Sequence, residues 1–135
     1  MANMLDLTTL KDAITSLENG IAAVDDDAWF SAQSATIRNT MMAGVIQNFE
    51  FVWDISIKMI RRRIEADHGD YRDLMRTAGE RGLIADVEAW FEYRKLRNIT
   101  SHTYDAAKAR ATFAGIPQFL AAARHLLTRL EQRNV

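Results

Sequence analysis

The segment from Arg97 to Tyr104 holds the residue types in this chain that could do chemistry together. It reads Arg97-Asn98-Ile99-Thr100-Ser101-His102-Thr103-Tyr104, so a fixed cation, a titratable ring and a phenol lie close together in the sequence. An arginine can clamp a phosphate through two parallel hydrogen bonds, and a neutral histidine can take a proton from a ribose 2′-hydroxyl. If a second imidazolium protonates the leaving oxygen, such a pair can cut RNA without a metal ion.

The interval between Arg97 and His102 does not identify a site by itself, because Arg63 and His68 show the same interval elsewhere. His68 ends a predicted helix, where an imidazolium would simply complement the helix dipole. His125 lies beside an apolar stripe, where a histidine is usually structural. The alternative for Arg97 and His102 is a polar turn that caps two helices, and the identities of the surrounding residues must decide.

The composition indicates one globular domain, which we expect to span residues 1–135. A chain of 135 residues with 48% hydrophobic and 26% charged residues is long enough for one core. Its apolar runs are shorter than the roughly 20 residues of a membrane-spanning helix. With no cysteine there is no disulfide or thiolate metal site, and the N-terminus lacks the pattern of a secretion signal. We therefore expect a cytoplasmic protein without a metal or cofactor.

The net charge of −1 gives no attraction of the whole molecule for nucleic acid. Contact with RNA must then come from local basic clusters, and the sequence offers Arg61 to Arg63 and the group of Arg94, Lys95 and Arg97. An alternative for the first cluster is a solvated face at a helix C-terminus, where arginines complement the dipole.

The apolar spacing of 3 or 4 residues throughout predicts an all-α fold, an up-and-down bundle of about five helices. The first helix carries a stripe from Leu10 to Val24 and passes Asn19-Gly20, where it could end or dip. The acidic run that starts at Asp25 predicts a connection through Ser34. A long helix then follows from about Thr36, with Gly69 available to close it in a left-handed conformation.

The second half of the chain predicts three further helices. Gly82 should stop a short one that begins at Tyr71, and Asp86 can cap the next. The polar residues after Asn98 predict that this helix loosens. Asp105 then caps a last helix, which Pro117 should bend or restart.

Two strings of residues resemble a known family. The long helix reads Gly44-Val45-Ile46-Gln47-Asn48-Phe49-Glu50-Phe51, close to a G-V-I-Q-x-F-E signature, and the string from Arg97 matches R-N-x-T-S-H-x-Y, with Gly82-Leu83-Ile84 and Trp90 between them. On these strings, which cover about half the chain, the sequence resembles the nucleotidyltransferase substrate-binding branch of the HEPN superfamily, the HepT-like toxins. Leu96 departs from it, since many relatives carry an acidic residue before the arginine.

The resemblance implies a helical domain with a four-helix core that forms a homodimer and brings two copies of the motif to one cleft. It assigns Arg97 to the phosphate, His102 to general acid or base catalysis and Asn98 to orienting the scissile region. Gln47 and Glu50 are expected to face the motif and hold it by hydrogen bonds. The alternative for Glu50 is an ordinary carboxylate on a helix surface.

The resemblance also implies a partner, a minimal nucleotidyltransferase that acts as antitoxin and transfers AMP to Tyr104. A phosphodiester on Tyr104 would add bulk and negative charge where an RNA phosphate must bind. The leading hypothesis is therefore a metal-independent endoribonuclease toxin of a type VII-like pair. One alternative is a non-catalytic subunit that binds nucleotide or substrate for the transferase, and another is a purely structural helical dimer.

Overall fold

The structure, a computed structural model, describes residues 5–65, 69–100 and 106–133, with side chains from 109 to 132 in the last range. This part of the chain contains six helices and no strand, which confirms the all-helical prediction. The helices are α1 (Thr8–Asp25), α2 (Asp27–Ser31), α3 (Ala35–Arg63), α4 (Tyr71–Glu80), α5 (Val87–Thr100) and α6 (Ala106–Arg133). No helix within the described ranges is both long enough and apolar enough to cross a membrane.

Side-chain caps begin several of these helices, because the first backbone N–H groups of a helix have no partner within it. The Ser34 hydroxyl accepts from the backbone N–H of Ile37 at 3.2 Å, and so begins α3. Asp70 begins α4 by accepting from Asp73 N at 2.8 Å. The predicted cap at Asp86 is confirmed, since its carboxylate accepts from Ala89 N at 3.1 Å.

The connection expected from Asp25 through Ser34 contains a further short helix, α2. The Asp26 carboxylate accepts from the backbone N–H of Trp29 at 3.2 Å, and Asp27 occupies the first turn. Carboxylates are favourable at a helix N-terminus, where the dipole is positive. The acidic run therefore ends one helix and begins another, which the sequence interpretation missed.

Two predictions about helix ends are wrong in detail. Helix α3 ends at Arg63 rather than near Gly69, and Glu65 takes the left-handed conformation there, with a φ of 54°. Helix α5 stays helical through Asn98 to Thr100, whose hydroxyl donates to the carbonyl of Arg97 at 2.7 Å. Helix α6 runs through Pro117, so of the two effects expected of the proline a restart is wrong, and a bend stays a prediction. The predicted cap at position 105 lies outside the described residues.

Packing explains why α6 tolerates its proline. A proline inside a helix removes one hydrogen bond and costs about 3 kcal/mol. Its neighbours Ile116 and Phe119 are fully buried and Leu120 is nearly so. Full burial of such side chains contributes about 1.5–3 kcal/mol each, which together exceeds the cost of the proline.

An aromatic cluster around Phe119 joins three helices in the core. The Phe119 ring meets Phe49 of α3 edge to face at 5.0 Å between centroids. It meets Trp90 and Tyr93 of α5 in the same way, at 5.9 and 5.2 Å. Because these rings are buried, they fix α5 against α3 and α6. The position of Arg97, one turn beyond Tyr93 on α5, is therefore set relative to α3.

Candidate functional site

One face of α3 and a single side chain of α5 form an open groove of about 470 Å³. Positions three, four and seven apart on a helix lie on the same face, so Gln47, Glu50 and Asp54 project to one side. The groove is lined by Gln47, Asn48, Glu50, Phe51 and Asp54 from α3 and by Arg97 from α5. Both strings of the family resemblance thus contribute to one surface feature.

Two carboxylates of α3 hold the guanidinium of Arg97. Its Nη1 lies 2.7 Å from Oε2 of Glu50. Its Nε and Nη2 donate to the two carboxylate oxygens of Asp54, at 3.3 and 3.4 Å. The side chain of Arg97 is 23% exposed and that of Glu50 is 26% exposed, so this ion pair is largely shielded from water. The arginine head is therefore fixed at the wall of the groove rather than extended into solvent.

This arrangement leaves donors for an anionic ligand. A guanidinium has five N–H groups, and contacts to three nitrogens account for three of them. The two N–H groups that Glu50 and Asp54 do not engage suit one phosphate or carboxylate group. The three charged groups, Glu50, Asp54 and Arg97, carry a net charge of −1, so the ligand must bind the arginine itself rather than a generally positive surface.

The structure describes some of the predicted site residues and not others. Glu50 contacts Arg97 directly, and Gln47 lines the same groove one turn earlier on α3. Asn98 is exposed on α5, turned by about 100° from Arg97 around the helix axis. His102 and Tyr104 lie outside the described residues, as does His68.

Sequence interpretation missed three groove residues, Asn48, Phe51 and Asp54. Asp54 lies one turn after Glu50 and seven residues after Gln47, so helical periodicity carried past the end of the G-V-I-Q-x-F-E string would have found it. Phe51 ends the string that resembles the G-V-I-Q-x-F-E signature, and no role was predicted for it, although it is 51% exposed and lines the groove. The sequence held no clear signal for this exposure, because it depends on which face of α3 the other helices cover.

Leu96 shows how the chain does without an acidic residue before the arginine. Its side chain packs against Gly115 of α6, where a Cβ atom would lie 2.3 Å from Leu96 Cδ1. The carboxylates that hold Arg97 come from α3 instead. The position before Arg97 thus serves the contact between α5 and α6.

A second and smaller cavity of about 120 Å³ lies between the start of α5 and the middle of α6. Its lining includes Trp90, Tyr93, Gln118 and His125. Burial raises the pKa of Tyr93, whose hydroxyl donates to the carbonyl of Gln118 at 3.3 Å. Among the residues that the structure describes, no group of three or more histidine or acidic side chains is placed to hold a metal ion.

Comparison with known proteins agrees with the fold. Residues 5–132 match the family model described as nucleotidyltransferase substrate binding protein like. The chain therefore belongs to this family, as its two strings indicated.

A curated relative from Haemophilus influenzae, named probable ribonuclease HepT, is 42% identical over 99% of this chain and 97% of its own length. A solved Haemophilus influenzae structure has a TM-score of 0.89 and 40% identity, covering 93% of this chain and 99% of that one. It was described as revealing the fold of a substrate binding domain of a nucleotidyltransferase. A Thermus thermophilus structure with 24% identity and a TM-score of 0.69, covering 90% and 98% of the two chains, shares the fold.

Proposed function

We propose that this chain is a metal-independent endoribonuclease, active as a homodimer in the cytoplasm, and the toxin of a pair whose antitoxin is a minimal nucleotidyltransferase. The observation that supports it is the guanidinium of Arg97, which Glu50 and Asp54 hold at the wall of an open groove through three of its five N–H groups. A relative that is 42% identical over 99% of this chain is named as a probable ribonuclease, which agrees with this proposal.

The reaction requires a phosphate clamp and two proton transfers. Arg97 binds the scissile phosphate and neutralises charge that develops on its oxygens. A neutral His102 takes the proton from the ribose 2′-hydroxyl, whose oxygen attacks the phosphorus, and the His102 imidazolium of the second subunit protonates the departing 5′-oxygen. The products are a 2′,3′-cyclic phosphate and a free 5′-hydroxyl, so atoms and protons balance without a metal. Asn98 orients the scissile region.

Silencing follows from the place of Tyr104 in the motif, two residues after His102. Transfer of AMP from ATP joins the phenol oxygen of Tyr104 to the α-phosphorus and releases pyrophosphate. The new phosphodiester carries a negative charge and a bulky nucleoside. It repels and blocks the RNA phosphate that Arg97 would bind.

A second function has its own support in the family description. A nucleotidyltransferase substrate binding protein could use the same groove to grip the phosphate of a nucleotide or substrate without cutting anything. A neighbouring reading frame with a G-S-x2-D-x-D nucleotidyltransferase motif agrees with both functions and argues against a purely structural dimer. Cleavage of RNA by the chain separates the two.

Expression of the chain without its partner tests the leading proposal. We expect growth arrest with the unchanged protein and normal growth with His102→Ala. His125→Ala is the matched control, because His125 is exposed on α6 and lies on the lining of the other cavity. In a cleavage assay with purified protein, His102→Ala should lower the rate by about 100-fold or more. If the unchanged chain neither arrests growth nor cuts RNA, the ribonuclease proposal fails.

The modification proposal has a separate test. Incubation of the chain with the partner transferase and ATP should add the mass of AMP, and fragmentation should locate it on Tyr104. Tyr104→Phe should accept no AMP and should stay active in the presence of the partner. An active partner that leaves Tyr104 unmodified would refute this part alone.

A further inference from the structure

Phe51 is an exposed aromatic residue on the lining of the groove. Its side chain is 51% exposed, the largest exposure among the big hydrophobic side chains described. It lies between Glu50 and Asp54 in the sequence, and these are the two residues that hold Arg97. An aromatic ring thus lies exposed beside the arginine that is positioned to take a phosphate.

The neighbours of Phe51 in the groove are polar. Gln47 lies one turn earlier on the same face, and its amide can both donate and accept hydrogen bonds. Asn48 donates weakly to the hydroxyl of Ser16 at 3.4 Å, and its amide also carries an acceptor oxygen. A flat apolar ring with amides around it matches a nucleobase, which has a stacking face and a hydrogen-bonding edge.

A contact with another protein chain fits this surface less well. The centre of such an interface is apolar and depleted in charged residues, whereas Glu50, Asp54 and Arg97 surround Phe51. The other exposed apolar residue of α3, Ile37, lies fourteen residues earlier, about 21 Å along the helix. Phe51 and Ile37 therefore do not form one patch.

The same exposed face of α3 continues toward basic residues. Lys58 lies one turn after Asp54, and Arg62 lies a further turn on, and both are exposed. An extended single strand that follows this face would meet a ring first and cations afterwards. Single-stranded nucleic acid is bound by this combination of stacking platforms and positive charge.

We propose that Phe51 is a stacking platform for an unpaired base next to the phosphate bound by Arg97, so that the groove selects single-stranded RNA. This inference rests on the proposed function, because it takes RNA as the substrate. It adds a residue that determines specificity and a substrate class. Duplex RNA is disfavoured because its bases are already stacked on one another and are not free to cover the ring.

Binding experiments in the His102→Ala background test this inference, because the RNA then stays intact. The probe is a short, end-labelled, single-stranded oligoribonucleotide followed by fluorescence anisotropy. Phe51→Ala should weaken its binding by roughly 5- to 100-fold, the range for loss of one base–aromatic stack. Phe51→Trp should preserve binding, and the matched control Ile37→Ala, an equally exposed apolar residue of the same helix, should leave it unchanged.

An abasic version of the oligonucleotide completes the test. If stacking is the interaction, the chain with Phe51 and its Phe51→Ala variant bind the abasic strand equally. Three results would each overturn the inference. Phe51→Ala could lose the same affinity for the abasic strand as for the intact strand, or it could keep its full affinity for the intact strand. The chain with Phe51 could also fail to bind the intact strand at all. A change of molar mass on Phe51→Ala by light scattering would overturn it too, because it would make Phe51 a subunit contact. If binding depends on the base but the wild-type chain cuts no RNA, the ribonuclease proposal fails and the stacking role of Phe51 is supported.

Discussion

Arg97 is held by side chains of a neighbouring helix, and this has consequences at the scale of single residues. Asp54 accepts from two nitrogens of the guanidinium, in a fork that fixes its plane, while Glu50 contacts the third nitrogen. The side chain of Asp54 is 52% exposed, so this pair adds little to stability. Its effect is to restrict the orientation of the arginine, which makes Asp54 a positioning residue.

Asp54→Asn is therefore expected to affect catalysis more than folding. The melting temperature should change little, because an exposed ion pair contributes about 0–1 kcal/mol. The turnover number for RNA cleavage should fall about 10- to 100-fold as the phosphate clamp loses its orientation, while KM does not rise, since a repelling carboxylate has been removed. Single-turnover and steady-state rates measure both effects.

Glu92→Gln is the control for Asp54→Asn. Glu92 forms an exposed ion pair with Lys95 at 3.1 Å on α5, and it is not among the residues that line the groove. It should leave both kinetic parameters unchanged. Equal turnover numbers for Asp54→Asn and the unchanged chain would contradict a positioning role.

Tyr71 supplies a prediction about alkaline pH. Its hydroxyl donates to the carbonyl of Trp90 at 2.7 Å, and burial raises its pKa well above the usual value. A pKa that is higher in the folded state favours the neutral phenol there. This stabilisation is complete below the unfolded pKa of about 10 and is lost as pH rises from there toward the folded value.

Tyr71→Phe should thus lower the free energy of unfolding at pH 7 by about 1 kcal/mol, through loss of the hydrogen bond. Between pH 9 and pH 11 it should lose less stability than the parent. Urea unfolding across this range measures the difference, and the raised pKa of Tyr93 is common to both proteins. Parallel stability curves would show that Tyr71 does not titrate on unfolding.

The residues of the groove were only partly predictable from the sequence. Arg97 and Glu50 stood out because they lie in recognisable strings, and their contact joins positions 47 residues apart. Helical periodicity places Asp54 on the same face as Gln47 and Glu50, but Asp54 lies beyond the end of the string that resembles G-V-I-Q-x-F-E. The exposure of Phe51 depends on which face of α3 the other helices cover, and a single sequence with a long apolar stripe does not fix that face.

At the scale of elements, the number of long helices was predictable and their ends were not. Stripes at spacings of 3 and 4 residues predict helices well because burial of the apolar face drives their formation. The ends depend on local competition, as Asp26 shows by beginning a helix that the acidic run was expected to exclude. The sequence also allowed the first helix to end or dip at Gly20, but α1 runs through Gly20 without a break.

Gly20 is explained by the close packing of α1 against α3. A Cβ atom at Gly20 would lie 2.9 Å from Cγ2 of Val45, a buried side chain whose β-branch restricts its rotamer. Gly20→Ala should therefore destabilise the chain by about 1–3 kcal/mol, despite the better helix propensity of alanine. Chemical denaturation measures the loss.

Gly44→Ala is the matched control, one residue before Val45. Among the residues that the structure describes, no atom beyond the chain neighbours and the local helix backbone lies within 4 Å of a Cβ atom at Gly44, so alanine meets no obstacle there. It should stabilise the protein by about 0.5–1 kcal/mol through helix propensity alone. Opposite signs for these two substitutions support the packing argument, and a gain from both would contradict it.

At the scale of the whole molecule, the groove lies on the surface of α3 while the aromatic cluster around Phe119 lies beneath it. The cluster sets the separation of α3 and α5, so the core determines where Arg97 meets Glu50 and Asp54. The groove is open on its outer side, so a strand of RNA can lie along Phe51 while a second subunit brings its own motif from outside the groove. The proposed mechanism needs both at once, because it uses two imidazoles around one phosphate.

Mixing subunits tests this requirement. If cleavage needs His102 from both subunits, a dimer with one His102→Ala subunit is inactive, and activity falls with the square of the unchanged fraction. An equal mixture after subunit exchange should then retain about one quarter of the activity, because only symmetric dimers of unchanged chains remain active. Subunits that act alone would retain about one half. Mixing with His125→Ala is the control and should cause no loss of activity. If activity instead falls in direct proportion to the fraction of His102→Ala subunits, each site is complete within one chain.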